Sequence, residues 1–170
     1  MKKLKKGERG FTLIEMLVVI VLIGLISGGI TAAIMQILTI NHRASNHMIC
    51  VRQVQQAGKE VSKDTLQAQA VNVTGSQGFP LTLTWEEWGT NTTHTVTYNL
   101  TDMSGGLKRL QRAHYIGSTP NSVNIVAEYI DPNQTSFVQV AGNDSYEFRV
   151  TATLGTESET RIYEIKPRPD

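Results

Sequence analysis

The chain has 170 residues, 40% of them hydrophobic and 18% charged, which gives room for one modest core and an anchor but not for two full-sized domains. Its 16 Lys+Arg against 15 Asp+Glu hide an asymmetry: residues 1–10 carry Lys2, Lys3, Lys5, Lys6 and Arg9 against Glu8 alone, leaving 11 basic and 14 acidic residues in the rest. A net-acidic body has no concentrated basic face for phosphate, which argues against broad nucleic-acid binding, and the single cysteine, Cys50, excludes an intramolecular disulfide.

In chain order, the basic leader MKKLKKGERG comes first. An apolar run follows, in which no Asp, Glu, Lys or Arg stands between Glu15 and Arg43. As a helix, Met16 to Ile40 rises about 37 Å, enough for a hydrocarbon core of about 30 Å. The basic flank predicts a cytoplasmic N-terminus, with everything after about Arg43 across the membrane. A cleaved secretory signal, a plain signal anchor and a processed leader all begin this way, and Glu15 separates them. A carboxylate in an apolar run costs roughly 2.5 to 3.5 kcal/mol at mid-membrane, so a plain anchor has little use for one. A secretory signal has a shorter run ending in small residues, which only Thr31, Ala32 and Ala33 imitate.

The stretch GFTLIEMLVVIVLIGLI, Gly10 to Ile26, resembles the cleavage and methylation motif of type IV pilins and type II secretion pseudopilins. The resemblance implies that a membrane aspartyl peptidase, the prepilin peptidase and methyltransferase, cuts after Gly10 and methylates the new amine of Phe11. Glu15 then becomes the fifth residue of the mature chain. Pairing that carboxylate with a neighbouring subunit's free amine removes most of its burial cost and sets the stagger between helices. Gly24, Gly28 and Gly29 let another helix approach closely. Many family members carry a proline near this point; the chain has none before Pro80, so local melting of the helix there falls to Gly28 and Gly29. The resemblance also implies other pilin or pseudopilin subunits, an assembly platform and its ATPase as partners, with residence in the cytoplasmic membrane and then in a filament.

From Asn41 to about Val73 the sequence turns polar, yet Val51, Val54, Gly58, Val61, Thr65 and Ala68 recur at steps of three and four. This predicts one continuous helix from about Phe11 to about Val71, its outer half lying on a sheet with Lys59, Lys63 and Gln67 on the polar back. Thr74 to Pro80 reads as a loop. Strands are expected at Leu81–Trp85, Val96–Leu100, Leu107–His114, Val123–Ile130, Ser136–Val140, Tyr146–Leu154 and Arg161–Lys166. The expected architecture is α+β: leader 1–10, membrane and assembly helix 11–40, amphipathic helix 41–73, and a β-rich extracytoplasmic domain 74–170 whose antiparallel sheet packs on the helix. The order VTYNL then GGLKRLQR also resembles J-class minor pseudopilins, where a strand pair reads a tyrosine and then Leu-x-Arg, and favours a minor subunit.

Lys108, Arg109, Arg112 and His114 read as a solvated strand face. His42, His47 and Cys50 have near-helical spacing but are three groups where a closed zinc site takes four, and they read as helix-surface residues. Asp131, Asn133 and Thr135 imitate the start of a calcium loop, though Gly142 holds its twelfth position. Neither a metal nor a cofactor is expected. The sequons at Asn72, Asn91, Asn99 and Asn133 reflect an abundance of Asn and Thr. With no nucleophile elbow, phosphate loop or zinc-protease helix, the reading is a structural filament subunit and not an enzyme. The rivals are a membrane-mounted adhesin or tip module and a membrane-anchored sensor or enzyme domain with no filament.

Overall fold

The computed structural model describes residues 10–142 and 144–167; the basic leader, except for Gly10, lies outside them. One helix, α1 (Leu13–Gln67), is followed by eight strands: β1 (Ala70–Val73), β2 (Leu81–Glu87), β3 (Thr92–Asp102), β4 (Lys108–Ile116), β5 (Thr119–Ile130), β6 (Ser136–Gln139), β7 (Tyr146–Leu154) and β8 (Glu157–Ile165). The chain divides into two compact units, Met1–His42 and Arg43–Asp170. In the first, every described residue is exposed. Such an all-round apolar helix needs an apolar surrounding that the chain does not itself supply.

The second unit is α+β, as expected. All strands are antiparallel, β1 to β5 as neighbouring ladders in sequence order. β7 is the hub: its opening half pairs with β6, Ala152 takes the single register point with Ile130 of β5, and its other edge pairs along its whole length with β8. The outer half of α1 lies against this sheet. Val54, Ala57 and Val61 are fully buried with Leu83, Val96, Tyr98, Phe148 and Val150 in one core. The polar back is as read, with Lys59, Lys63 and Gln67 exposed. Within the predicted stripe, Cys50 and not Val51 is the buried residue at the start, and Asp64 joins the buried face.

The helix ends at Gln67, short of the expected Val71, and Ala70–Val73 is a strand. Val71 and Val73 alternate with Asn72 and lie opposite Leu83 and Leu81, so β-branched side chains on a ready ladder prevail over continuation of the helical stripe. Gln69 N–H donating to the Thr84 carbonyl at 2.9 Å makes the handover.

Two close approaches fix the packing. At Gly58 an added Cβ would stand 2.0 Å from Cζ of Tyr163, whose hydroxyl donates to the Val54 carbonyl at 3.2 Å. The β8 ring therefore seats in a notch that only glycine leaves in α1. At Gly78, φ is +84° and a Cβ would meet the Phe137 carbonyl oxygen at 2.0 Å. Next to it, Phe137 N–H donates to the Gln77 carbonyl at 2.9 Å, so the loop between β1 and β2 docks on β6.

Candidate functional site

Gly10 and Phe11 precede the first helical turn and are exposed, Phe11 by 79%. Thr12 supplies the N-cap. The Glu15 carboxylate accepts from Thr12 N–H at 2.9 Å and from the Thr12 hydroxyl at 3.0 Å, and Glu15 N–H reaches that hydroxyl at 3.3 Å. This is a reciprocal capping box, in which two orphan backbone donors of the first turn are answered by side chains. Sequence reasoning missed it although the spacing Thr-x-x-Glu is its signature. In the single chain Glu15 is thus hydrogen-bonded by its own first turn. Gly24, Gly28 and Gly29 have nothing within 4 Å of the position a Cβ would take. Gly24 and Gly28 are one turn apart on one face, and the surface they open is unfilled by the chain itself.

A second cluster ties α1 to the sheet. Asp64, 1% exposed, accepts from the Tyr98 hydroxyl at 2.6 Å and from Arg112 Nε at 2.6 Å and Nη2 at 3.2 Å. Tyr98 and Arg112 are register partners on β3 and β4. The tyrosine and the Leu-x-Arg of the two strands, Tyr98 and Leu110-x-Arg112, therefore converge on one helix carboxylate. Burial, then the adjacent Asp64 charge, pushes the Tyr98 phenol far up, so it stays a donor. Burial works against the Arg112 charge, but its bonds to Asp64 outweigh this and raise its pKa. A buried pair of this kind costs desolvation of both charges; its value lies in fixing where the helix meets β3 and β4.

The family model described as the prokaryotic N-terminal methylation motif matches residues 5–31. Its N-terminal segment is of the type IV pilin and pseudopilin kind. Neither a curated protein nor a solved structure matches the chain. The pilin-type motif belongs to processed, structural subunits handled by prepilin peptidase. The helix α1, which begins inside the motif, is long and apolar enough near the N-terminus to cross a membrane, which fits anchoring.

The remaining candidates resolve individually. The basic group on β4 is not the solvated face expected from its charges. Lys108 pairs with Asp102, Arg109 Nε with Glu128 at 2.9 Å, Arg112 with buried Asp64, and His114 with His94. Lys108, Arg112 and His114 share one face of β4 and Arg109 lies on the other, and each meets a partner of its own. His42 and His47 are exposed, whereas Cys50 is buried with its Sγ 3.7 Å from the Glu157 carbonyl oxygen, and burial raises its thiol pKa. The Asp131 carboxylate is occupied by Asn133 N–H at 2.9 Å and Gln134 Nε2 at 3.0 Å. Thr31, which imitated a cleavage site, lies within α1 and donates to the Ser27 carbonyl at 2.9 Å.

Proposed function

We propose that the chain is a minor subunit of a type IV pilus or a type II secretion-like pseudopilus. It is cut after Gly10, methylated on the Phe11 amine, and held in the cytoplasmic membrane by one pass with its N-terminus inside and residues 43–170 outside. Assembly then runs through the apolar half of α1 against other pilin-type subunits, driven by a platform protein and ATPase. The observation that carries this reading is the methylation motif over residues 5–31, with Gly10 and Phe11 exposed ahead of a helix whose first turn holds Glu15. On this reading Glu15 exchanges its bonds to Thr12 for the amine of a neighbour, and Gly24 and Gly28 admit that neighbour's backbone. The minor-subunit assignment draws on the order VTYNL then GGLKRLQR, which resembles that of J-class minor pseudopilins.

Mass analysis of the N-terminus decides the processing. A chain starting at N-methyl-Phe11 when peptidase is present, and at Met1 when it is absent, is the expected result; a chain retaining Met1 beside active peptidase overturns it. Glu15→Gln is expected to be processed normally yet to be lost from sheared filaments, and its normal incorporation would refute the amine pairing.

A second reading, a binding module mounted at a filament tip, draws on Trp88, which is wholly exposed in the turn between β2 and β3. Deletion of the gene distinguishes the two: the first removes or thins the filament, the second removes adhesion and leaves filament number unchanged.

A further inference from the structure

Trp85 on β2, His94 on β3 and His114 on β4 stand on the α1-facing side of the sheet, in step with Leu83, Val96 and Arg112. Trp85 is directly opposite His94, and His114 opposite Val96. His94 Nδ1 and His114 Nε2 are 3.0 Å apart, with ring centres 5.3 Å apart and planes within 18°. A hydrogen bond joining near-parallel rings at that centre spacing requires them to meet edge to edge in a common plane. Trp85 lies parallel to both, at 4° and 14°, and nearly equidistant, at 5.4 and 6.0 Å. At the ends of the pair, Asn121 Nδ2 is 3.0 Å from His114 Nδ1, and Glu87 Oε2 is 3.8 Å from His94 Nε2.

These contacts fix the protons. Asn121 donates to His114 Nδ1, so neutral His114 carries its hydrogen on Nε2 and donates it to His94 Nδ1. His94 then carries its own hydrogen on Nε2, toward Glu87. An added proton has no free lone pair to occupy. On His94 Nδ1 it confronts the His114 N–H; on His114 Nδ1 it confronts the Asn121 amide. Each position breaks one link of the chain Asn121–His114–His94–Glu87. Other charges reach the pair from each packed element. Arg112 on β4 opposes a proton on His114, and Asp64 on α1 favours one. Glu87 on β2 stands 3.8 Å from His94 Nε2, while β5 contributes only neutral Asn121. The Trp85 face also favours an imidazolium.

We propose that the His94–His114 pair is a proton-operated latch holding together the ends of the β2–β3 and β4–β5 hairpins, closed while both rings are neutral and opened by acid. The hairpin ends are also joined by the β3–β4 ladder, whose outermost register pair is His94 with Ile116, and just beyond it by the bond from Gly117 N–H to the Thr93 carbonyl, 2.7 Å. Release loosens the strand ends next to the turn that carries the fully exposed Trp88, so acidity alters the surface this end of the domain presents.

The test uses the full chain in detergent micelles with Trp88→Phe, which leaves Trp85 as the sole indole of the two in the sequence. Between about pH 8 and about pH 4.5, the range in which imidazoles titrate, Trp85 emission is expected to fall in one step. Across that step the protection of the Gly117 amide, its exchange rate measured against the unfolded rate at the same pH, is expected to fall about tenfold, the order of the loss of one net hydrogen bond. Asn121→Ala frees His114 Nδ1 for a proton and moves the midpoint to higher pH, which a purely structural contact would not do. His94→Gln with His114→Gln abolishes the step while amides of β7 and β8 keep their neutral-pH protection. A step that persists in the double variant, a midpoint unmoved by Asn121→Ala, or Gly117 protection indifferent to pH overturns the latch.

Discussion

Removing the Asp64 carboxylate leaves Arg112, whose side chain is 17% exposed, without its counter-charge, and leaves the buried Tyr98 hydroxyl without an acceptor. Asp64→Ala is therefore expected to cost about 3 kcal/mol in urea unfolding, toward the lower end for breaking a buried pair because Arg112 keeps some water. Tyr98→Phe removes one bond and is expected to cost about 1 kcal/mol. A cost for Asp64→Ala no greater than that for Tyr98→Phe would show that the ion pair does not hold the helix. The pH dependence follows from His114, whose pKa burial, then Arg112 and His94, hold below its ordinary 6.5. The folded chain binds that proton less readily than the unfolded one, so this contribution to stability is whole above about pH 6.5. It is lost as pH falls from there through the lowered folded value. Thermal unfolding between pH 7.5 and 5 should show a decline that His114→Gln reduces. At this scale the sequence was half legible. Tyr98 and Leu110-x-Arg112 stood out as a strand-pair signature, but their shared partner did not. Asp64 lies three residues after Val61 and four before Ala68, within the apolar stripe, and a carboxylate at such a position signals a buried cation across the interface.

Among the elements, α1 and the strands from Leu81 onward were readable because their periods are clean: three-and-four steps from Val54 to Ala68, strict alternation from Tyr146 to Leu154. The boundary at Val71 was not. Ala68 and Val71 also fit the helical period, and only the cross-strand partners Leu81 and Leu83 make Ala70–Val73 a strand, which is information held far along the chain. The basic group on β4 misled for a related reason, since formal charge does not show which cations have partners brought from α1, β3 and β5. Gly58 is the element-scale feature most open to a direct test. An added methyl collides with the Tyr163 ring, so Gly58→Ala is expected to destabilise by roughly 1–3 kcal/mol, despite the better helix propensity of alanine. In a Tyr163→Ala background the same substitution should cost little, and equal costs in both backgrounds would place the strain elsewhere.

For the whole molecule, the division into Met1–His42 and Arg43–Asp170 separates two ways of being stable. Arg43–Asp170 has a buried core and melts when that core is hydrated. The apolar helix from Leu13 to His42 has no core of its own, and in a bilayer or micelle its backbone bonds persist because no water competes for them. Heating the micellar protein should therefore abolish the β signal and the near-ultraviolet signal of Trp85 together, while more than half of the helical ellipticity survives. Complete loss of helix in the same transition would mean that the two units fold as one. The capping box at Thr12 and Glu15 bears on what happens before any filament forms. On the proposed reading, an incoming amine must displace the two bonds that the acid already accepts from its own first turn, so a subunit comes to the filament with this acid engaged and not bare.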